Sequence, residues 1–531
     1  MSLPFYYDYF SLRYINPEKW HSDFFWPVPW ATTQRINEDF RKFHVELINR
    51  LGDSFEGDCL LIAYHISGRF IEVANHYLAI QYLVEKGYHI HPSPYLKLIP
   101  LLQQKGKIDF KNENLLNERY NFKILLRNLH SSLKFNFSRC QYNLLKQLKP
   151  ESIASSGVIS HELLKNKEEW IKLITAGWLL KDNTFENKDI SSKYSDTFKY
   201  ITMEFVKFFT GYMNRNFNLS TPENINNALT SFSFHYLIKT GQVYFSLLRS
   251  VGKLKIKNFF SSTAGNPYTR ALSLAVKKNG GNTTGFPHGY FICHHSGTRP
   301  SFHEFATVDN FVAYTKGSIS LFERNVQYNP LPRKHRISFL CDNTNFFTKL
   351  KNSWNLIPIP KKNKTIMVLE LSLIPEWAGY YAAEAMVNYH FYYSLCKSLS
   401  KAGYNIIFKK RPKNLSWQGI NIFEHIPNVR VIYEPFEKPG VIEQCDAVII
   451  QYAHSSTFNY SICTNKTVIY VDSGWEPWFP DVYASMKKRC RILHCHYDNL
   501  NRPCFDENEL FEILNMDCGQ IDTEYFDKYL S

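Results

Sequence analysis

Apolar residues fall along this chain in short blocks divided by turn formers, and the blocks switch between strand-like and helix-like spacing. Asn258-Phe259-Phe260-Ser261-Ser262-Thr263 is short and β-prone, whereas 267–278 carries Leu272, Leu274, Ala275 and Val276 before Asn279-Gly280-Gly281 stops it. A second strand then leads into Pro287-His288-Gly289-Tyr290. This is a βαβ unit ending in a loop. Upstream, the apolar run 58–64 predicts a strand, His65-Ile66-Ser67-Gly68-Arg69 a turn, 70–86 a helix stopped by Gly87, and 88–91 another strand before Pro92-Ser93-Pro94. From about 121 to 250 the spacing turns helical, including 171–180, and Ser220-Thr221-Pro222-Glu223 offers a cap, an early Pro and an acid for a further helix. A helical insertion in the first α/β domain is the simplest reading.

Downstream of a closing strand at 310–314, the Pro-, Asn- and Lys-rich stretch 328–362 predicts a crossing between domains. A second series follows: strands at 365–371, 405–409, 429–433, 447–451 and 467–471, with helices over 379–402, 439–445 and about 457–464. Alternation of this kind predicts an α/β protein with two parallel sheets facing a cleft, the first domain spanning 1–340 and the second 341–531.

Composition narrows the partners. The chain has 531 residues, 44% hydrophobic and 21% charged, and no apolar run nears the roughly 20 residues that span a bilayer. The aromatic start, 1–30, lacks the pattern of a secretory signal, so a cytoplasmic protein is expected. Eleven scattered cysteines without a C-x-x-C pair read as reduced thiols. A net charge of +14 favours anionic ligands, and without a nucleic-acid module that means small phosphorylated ligands and an acidic membrane face rather than DNA or RNA.

Several residues sit where chemistry is placed in such sheets, at the carboxyl ends of strands. His288 and Gly289 follow one strand; Lys409-Lys410-Arg411-Pro412 follow another, with Pro412 turning the chain so that the cations are presented at the edge. Ser455, Ser456 and Thr457 open a helix whose free N–H groups suit phosphate. Glu304 and Asp309 are candidate bases or nucleophiles, Asp309 reading better as a surface carboxylate. Gly68, Arg69 and Glu72 surround the predicted first turn, and Trp475-Glu476-Pro477-Trp478 forms either a wall of the ligand site or a hydrophobic plug. Neither Cys293, His294, His295 and His303 nor Cys490, His494, Cys495 and His496 has convincing zinc spacing, so no metal site is expected.

The elements His288-Gly289, Arg411-Pro412, Ser455-Ser456-Thr457 and Lys466-Thr467-Val468-Ile469, covering about 255–475, resemble nucleotide-sugar glycosyltransferases of the GT-B type. More narrowly they are similar to bacterial surface-polysaccharide transferases that use cytidine nucleotides, including Kdo and related acid-sugar transferases and CDP-glycerol glycerophosphotransferases. Arg411 stands where many relatives have His, and Gln451-Tyr452 replaces an acidic or Thr-rich lead-in. The resemblance implies two Rossmann-like domains, with a CMP-linked donor against Arg411 and the Ser455, Ser456 and Thr457 helix start and the acceptor on the first domain. It implies no cofactor beyond the nucleotide-sugar co-substrate, and a surface glycan as acceptor; the basic charge and aromatic start suit a glycan or lipid-linked acceptor presented at the inner face of the membrane. Read from the residues themselves, Gly289, Lys409 and Glu476 join the donor site, and His288, Glu304 and Glu72 are the candidate catalytic groups. A polyol-phosphate transferase and a GT-B-derived binding protein without catalysis are the rival readings.

Overall fold

Strands that are apolar at every position need cover on both faces, and alternating them with helices provides it. The computed structural model describes residues 4–6, 15–91, 152–156, 174–175, 188–261, 267–287, 293–298, 300–341, 346–355, 364–370, 378–410, 422–516 and 521–531. Its strands form a six-stranded, a seven-stranded and a two-stranded sheet.

The amino-terminal part is mainly helical: α1 (Pro17–Asp23), α2 (Trp30–Leu51), α3 (Phe55–Ile62) and α4 (His65–Glu85), with β1 (Pro4–Tyr6) paired in parallel to β2 (His89–His91). The expected strand at 58–64 is therefore helix α3. Ser54 caps it by accepting from Gly57 N at 3.0 Å, and Glu56 and Asp58 lie in its first turn. Because α3 packs among neighbouring helices and is buried almost all round, its sequence lost the helical period. Nor is 65–69 a turn: α4 starts at His65, which puts Gly68 inside a helix and Glu72 two turns in. Gly87 (φ 76°) does end that helix's trailing turn.

The six-stranded sheet runs in the order β4 (Ile174–Thr175), β3 (Ser152–Ser156), β5 (Ile256–Ser261), β6 (Asn282–Gly285), β7 (Asn310–Ala313), β8 (Ser338–Cys341), and all five pairings are parallel. Two strands thus come from the region expected to be a helical insertion, and 171–180 includes β4 rather than lying in one helix. The helical portion there is the long pair α5 (Lys188–Phe217) and α6 (Glu223–Leu254), which pack together; α6 starts after Pro222 with no side-chain cap. Helix α7 (Pro267–Lys278) joins β5 to β6, with the expected bounds. After α8 (Lys316–Tyr328), the expected crossing at 328–362 supplies the edge strand β8 and then α9 (Phe346–Trp354).

The seven-stranded sheet has the order β11 (Val429–Ile432), β10 (Asn405–Lys409), β9 (Thr365–Leu369), β12 (Ala447–Ile450), β13 (Thr467–Asp472), β14 (Arg491–Tyr497), β15 (Pro503–Phe505). Only β15 is antiparallel. Helices α10 (Ala378–Lys401), α11 (Ser456–Cys463), α12 (Pro480–Arg489), α13 (Glu507–Asn515) and α14 (Glu524–Tyr529) accompany it, so the series continues well past the last expected strand. The strand at 405–409 lies where expected, while the helix expected over 439–445 is a single 3₁₀ turn, Ile442–Gln444. Asp446 Oδ2 accepts from Lys364 N and Thr365 N, both at 2.8 Å, fixing the register of β12 on β9. From β9 the chain moves outward to β10 and β11 and then back across to β12, which leaves a crevice at the carboxyl ends of β9 and β12.

Successive side chains of β9 serve opposite faces. Ile366 and Val368 join one core layer with Phe259 and Ala275; Met367 and Leu369 join the other with Phe311 and Phe322. Each layer therefore draws on both large sheets.

Candidate functional site

Loops leaving the carboxyl ends of both sheets meet at four polar side chains. His294 and His295 follow β6, His454 follows β12 and Glu476 follows β13. His295 Nδ1 accepts from Gly297 N at 3.0 Å, so its Nε2 carries the proton of the neutral ring and donates to His454 Nδ1 at 2.8 Å. Beside them Glu476 accepts from His454 N at 3.0 Å, His294 Nε2 at 3.1 Å and Tyr470 Oη at 3.4 Å. Backbone bonds from Ser296 N to Pro477 O and from Phe479 N to His294 O zip the two loops together. Asn325 holds the near side by donating to His295 O and Gly297 O while its own Oδ1 accepts from Ser301.

Charged groups also gather at the crevice, though they are less open than expected. Lys409 and Lys410 end β10 but are buried, 8% and 2% exposed. Lys409 Nζ donates to Lys410 O at 2.6 Å, and Lys410 lies 3.8 Å from Glu370, which also accepts from Tyr389 Oη. The cations are thus turned into the sheet's end because a carboxylate and a carbonyl are there to receive them. Across the crevice Ser455 caps α11, accepting from Phe458 N at 3.2 Å and donating to Tyr452 O, with Ser456 and Thr457 in the first turn. Phe458 N is thus taken up by the cap, while the N–H groups of Ser456 and Thr457 have no helical acceptor and remain suited to an anion.

A third cluster lies under the first sheet's carboxyl end. Arg270, in α7, is inaccessible to solvent; its Nη1 donates to Phe302 O at 2.9 Å and its guanidinium lies over the rings of Tyr64 and Phe302. Burial pulls its pKa down to about 10, against the opposing pull of Tyr64, Glu304 and Tyr236, so it stays a cation at neutral pH. Glu304 reaches this cluster from the π-turn Ser301–Phe305. Two turns into α4, Glu72 pairs with Arg69 at 2.7 Å. Burial, reinforced by Arg270 and then Arg69, lowers His65 to about 4 and holds its ring neutral.

His288, Gly289 and Arg411 lie outside the described residues. Of the others, Glu476 is drawn to the meeting of the sheets, Lys409, Ser455, Ser456 and Thr457 flank the crevice, and Glu304 and the Arg69–Glu72 pair lie nearer Arg270. Asp309 belongs to none of these: at the amino end of β7 it accepts from Thr283 N and Oγ1 and pairs with Lys277 at 2.9 Å, a tie between strands. Trp475 packs against Trp30 with the rings tilted at 37°, and its carbonyl accepts from Gln34, so this part of the aromatic segment plugs the joint with α2. His294 and His295 stand out in the sequence only as zinc ligands, set aside for their spacing, and His454 and Arg270 are not singled out by it. The signal for the histidines was position after a parallel strand; Arg270 carried none, since its burial depends on α4, α6 and the π-turn, all remote in sequence.

Among the described residues, no group of three or more His, Cys, Asp or Glu is arranged to hold a metal ion, nine cysteines are free thiols, and no helix is long and apolar enough to cross a membrane. No protein-family model matches the chain, and a search of curated proteins finds no match.

Proposed function

We propose that the chain is a glycosyltransferase that moves a sugar from a nucleotide-activated, CMP-linked donor to a glycan or lipid-linked acceptor at the cytoplasmic face of the membrane. The observation that carries this reading is the joining of loops from the carboxyl ends of two parallel sheets through His295–His454 and His294–Glu476. Two α/β halves opposed in this way, each a Rossmann-like unit of a GT-B scaffold, offer separate floors for donor and acceptor. The proposed halves are 1–340 for the acceptor and 341–531 for the donor.

In the step itself an acceptor hydroxyl oxygen bonds to the anomeric carbon while the bond from that carbon to the phosphate oxygen breaks. The electron pair leaves with the phosphate and the hydroxyl proton passes to a base. Arg411 and the first turn of α11 compensate the leaving phosphate, with Lys409 adding its charge from within the end of the sheet. His288 or Glu304 receives the proton, and Glu476, already accepting from three groups, positions His294 and the His454 loop. Closure of the halves keeps water from competing with the acceptor.

Thermal unfolding in the presence of CMP, CDP, UMP, UDP and GDP tests this directly, because a ligand of the folded state raises its midpoint. CMP is expected to stabilise the wild type and to lose that effect in Arg411→Ala. Absence of any response to saturating nucleotide would contradict the reading; a response to CDP-glycerol alone would replace the sugar donor with a polyol phosphate.

A further inference from the structure

The guanidinium of Arg270 is bonded along one side only. Its Nη1 is occupied by Phe302 O, but among the described residues Nε and Nη2, both buried, have no hydrogen-bond partner, and neither does the buried hydroxyl of Tyr236. Those two nitrogens form one edge of the guanidinium, the pair of parallel N–H groups that grips a carboxylate or phosphate through two oxygens. Burying such donors unmatched is costly, so a structure that keeps them has a reason to. Arg333 also leaves Nε and Nη2 unmatched, yet its Nη1 is paired to the Asp58 carboxylate. Arg270 has no bonded carboxylate: Glu304 acts on it through space, without bonding to the open edge.

The surroundings suit an anion. His44 and His65 beside Arg270 are held neutral by burial and by its charge, while the Tyr64 and Phe302 rings lie over the guanidinium and make no hydrogen bond to its Nε–Nη2 edge. Arg270 also lies in the first turn of α7, immediately beyond the carboxyl end of β5, where the helix dipole adds to the attraction.

We propose that the Nε–Nη2 edge of Arg270, with the Tyr236 hydroxyl, is a binding site for an oxyanion carried by a ligand, a carboxylate or a phosphate group. Since Arg270 is solvent-inaccessible, the anion enters by displacing a neighbouring segment, and the π-turn Ser301–Phe305, which bonds its Nη1, is the candidate. The site stands on its own geometry. Taken with the transferase reading, which it does not require, it would hold an acidic group of the acceptor.

The test is binding by the full chain without any nucleotide. Thermal midpoints are followed against inorganic phosphate, glucuronate and, as the uncharged control, glucose, for wild type, Arg270→Lys and Tyr236→Phe. Saturable stabilisation by an anion and not by glucose is expected, with apparent affinity about tenfold weaker in Arg270→Lys and about fivefold weaker in Tyr236→Phe. A response to glucuronate alone identifies a carboxylate, and a response to phosphate alone identifies a phosphate. No anion response in wild type, or one equal in wild type and the variants, overturns the site. Tyr236→Phe removes only an unpartnered hydroxyl and keeps the test valid should Arg270→Lys fold poorly.

Discussion

Arg270 in α7 and Arg489 in α12 are both buried, and their surroundings differ in kind. Arg489, ending α12, donates through Nε to Ile462 O and through Nη2 to Thr464 O at 2.7 Å, with Ser461 O and Lys466 O close by. It closes the carboxyl end of α11 and the turn into β13, a region whose last carbonyls have no helical donor. Arg270 is more deeply buried, yet one whole edge of it is unmatched. Burial alone therefore does not tell a structural cation from a poised one; the accounting of its donors does.

Acid should separate the two regions most. His44 and His65, both near Arg270, are lowered by burial to about 3 and about 4. Held neutral in the fold, they take up protons first in the unfolded chain, so stability falls as pH drops from about 6.5 towards 4 and is unaffected by them above that range. Each contributes a slope of up to about 1.4 kcal/mol per pH unit. Hydrogen exchange should show α4 and α7 losing protection in that window before α12 and β13; simultaneous loss would break the distinction.

Substitution gives the next largest contrast. Arg489→Met strands several buried carbonyls and should cost about 3 kcal/mol or more, whereas Arg270→Met removes a cation that the unliganded fold satisfies poorly and should change stability by about 1 kcal/mol or less. Urea unfolding of both variants decides it, and equal losses would mean that Arg270 is structural as well.

A smaller effect is expected at the joint between the sheets. A double-mutant cycle on His295→Ala and His454→Ala should give a coupling of about 1 kcal/mol, as for a partly buried side-chain hydrogen bond. Zero coupling would remove the proposed link between the two halves. At the surface, Arg50→Ala breaks an exposed pair with Glu204 and should alter the urea midpoint by no more than about 0.5 kcal/mol in stability.

The regular alternation of the carboxyl-terminal half was legible because each parallel strand is apolar throughout and bounded by turns, as in Asn405–Lys409 and Ala447–Ile450. Helix Pro267–Lys278 was legible for a related reason, a Pro near its start and Gly280-Gly281 beyond its end. Helix α3 was not, since a short helix buried on all sides has the same apolar run as a buried strand. Strand β4, two residues long, is made by pairing with β3 and has no sequence signature of its own. The site divides along the same line. Glu476 and the Ser455–Thr457 turn follow strands and could be found by position. The Lys409 and Lys410 side chains were expected at an open edge, but Glu370 and a backbone carbonyl draw them inward, which only the folded arrangement reveals.

The most direct measurement is release of CMP from a CMP-linked acid sugar by the full chain, with and without a glycan acceptor. The account predicts CMP release that the acceptor accelerates and that Arg411→Ala or His288→Ala reduces at least about a hundredfold. Release that ignores the acceptor, or survives both substitutions unchanged, would contradict transfer in a cleft between the two sheets.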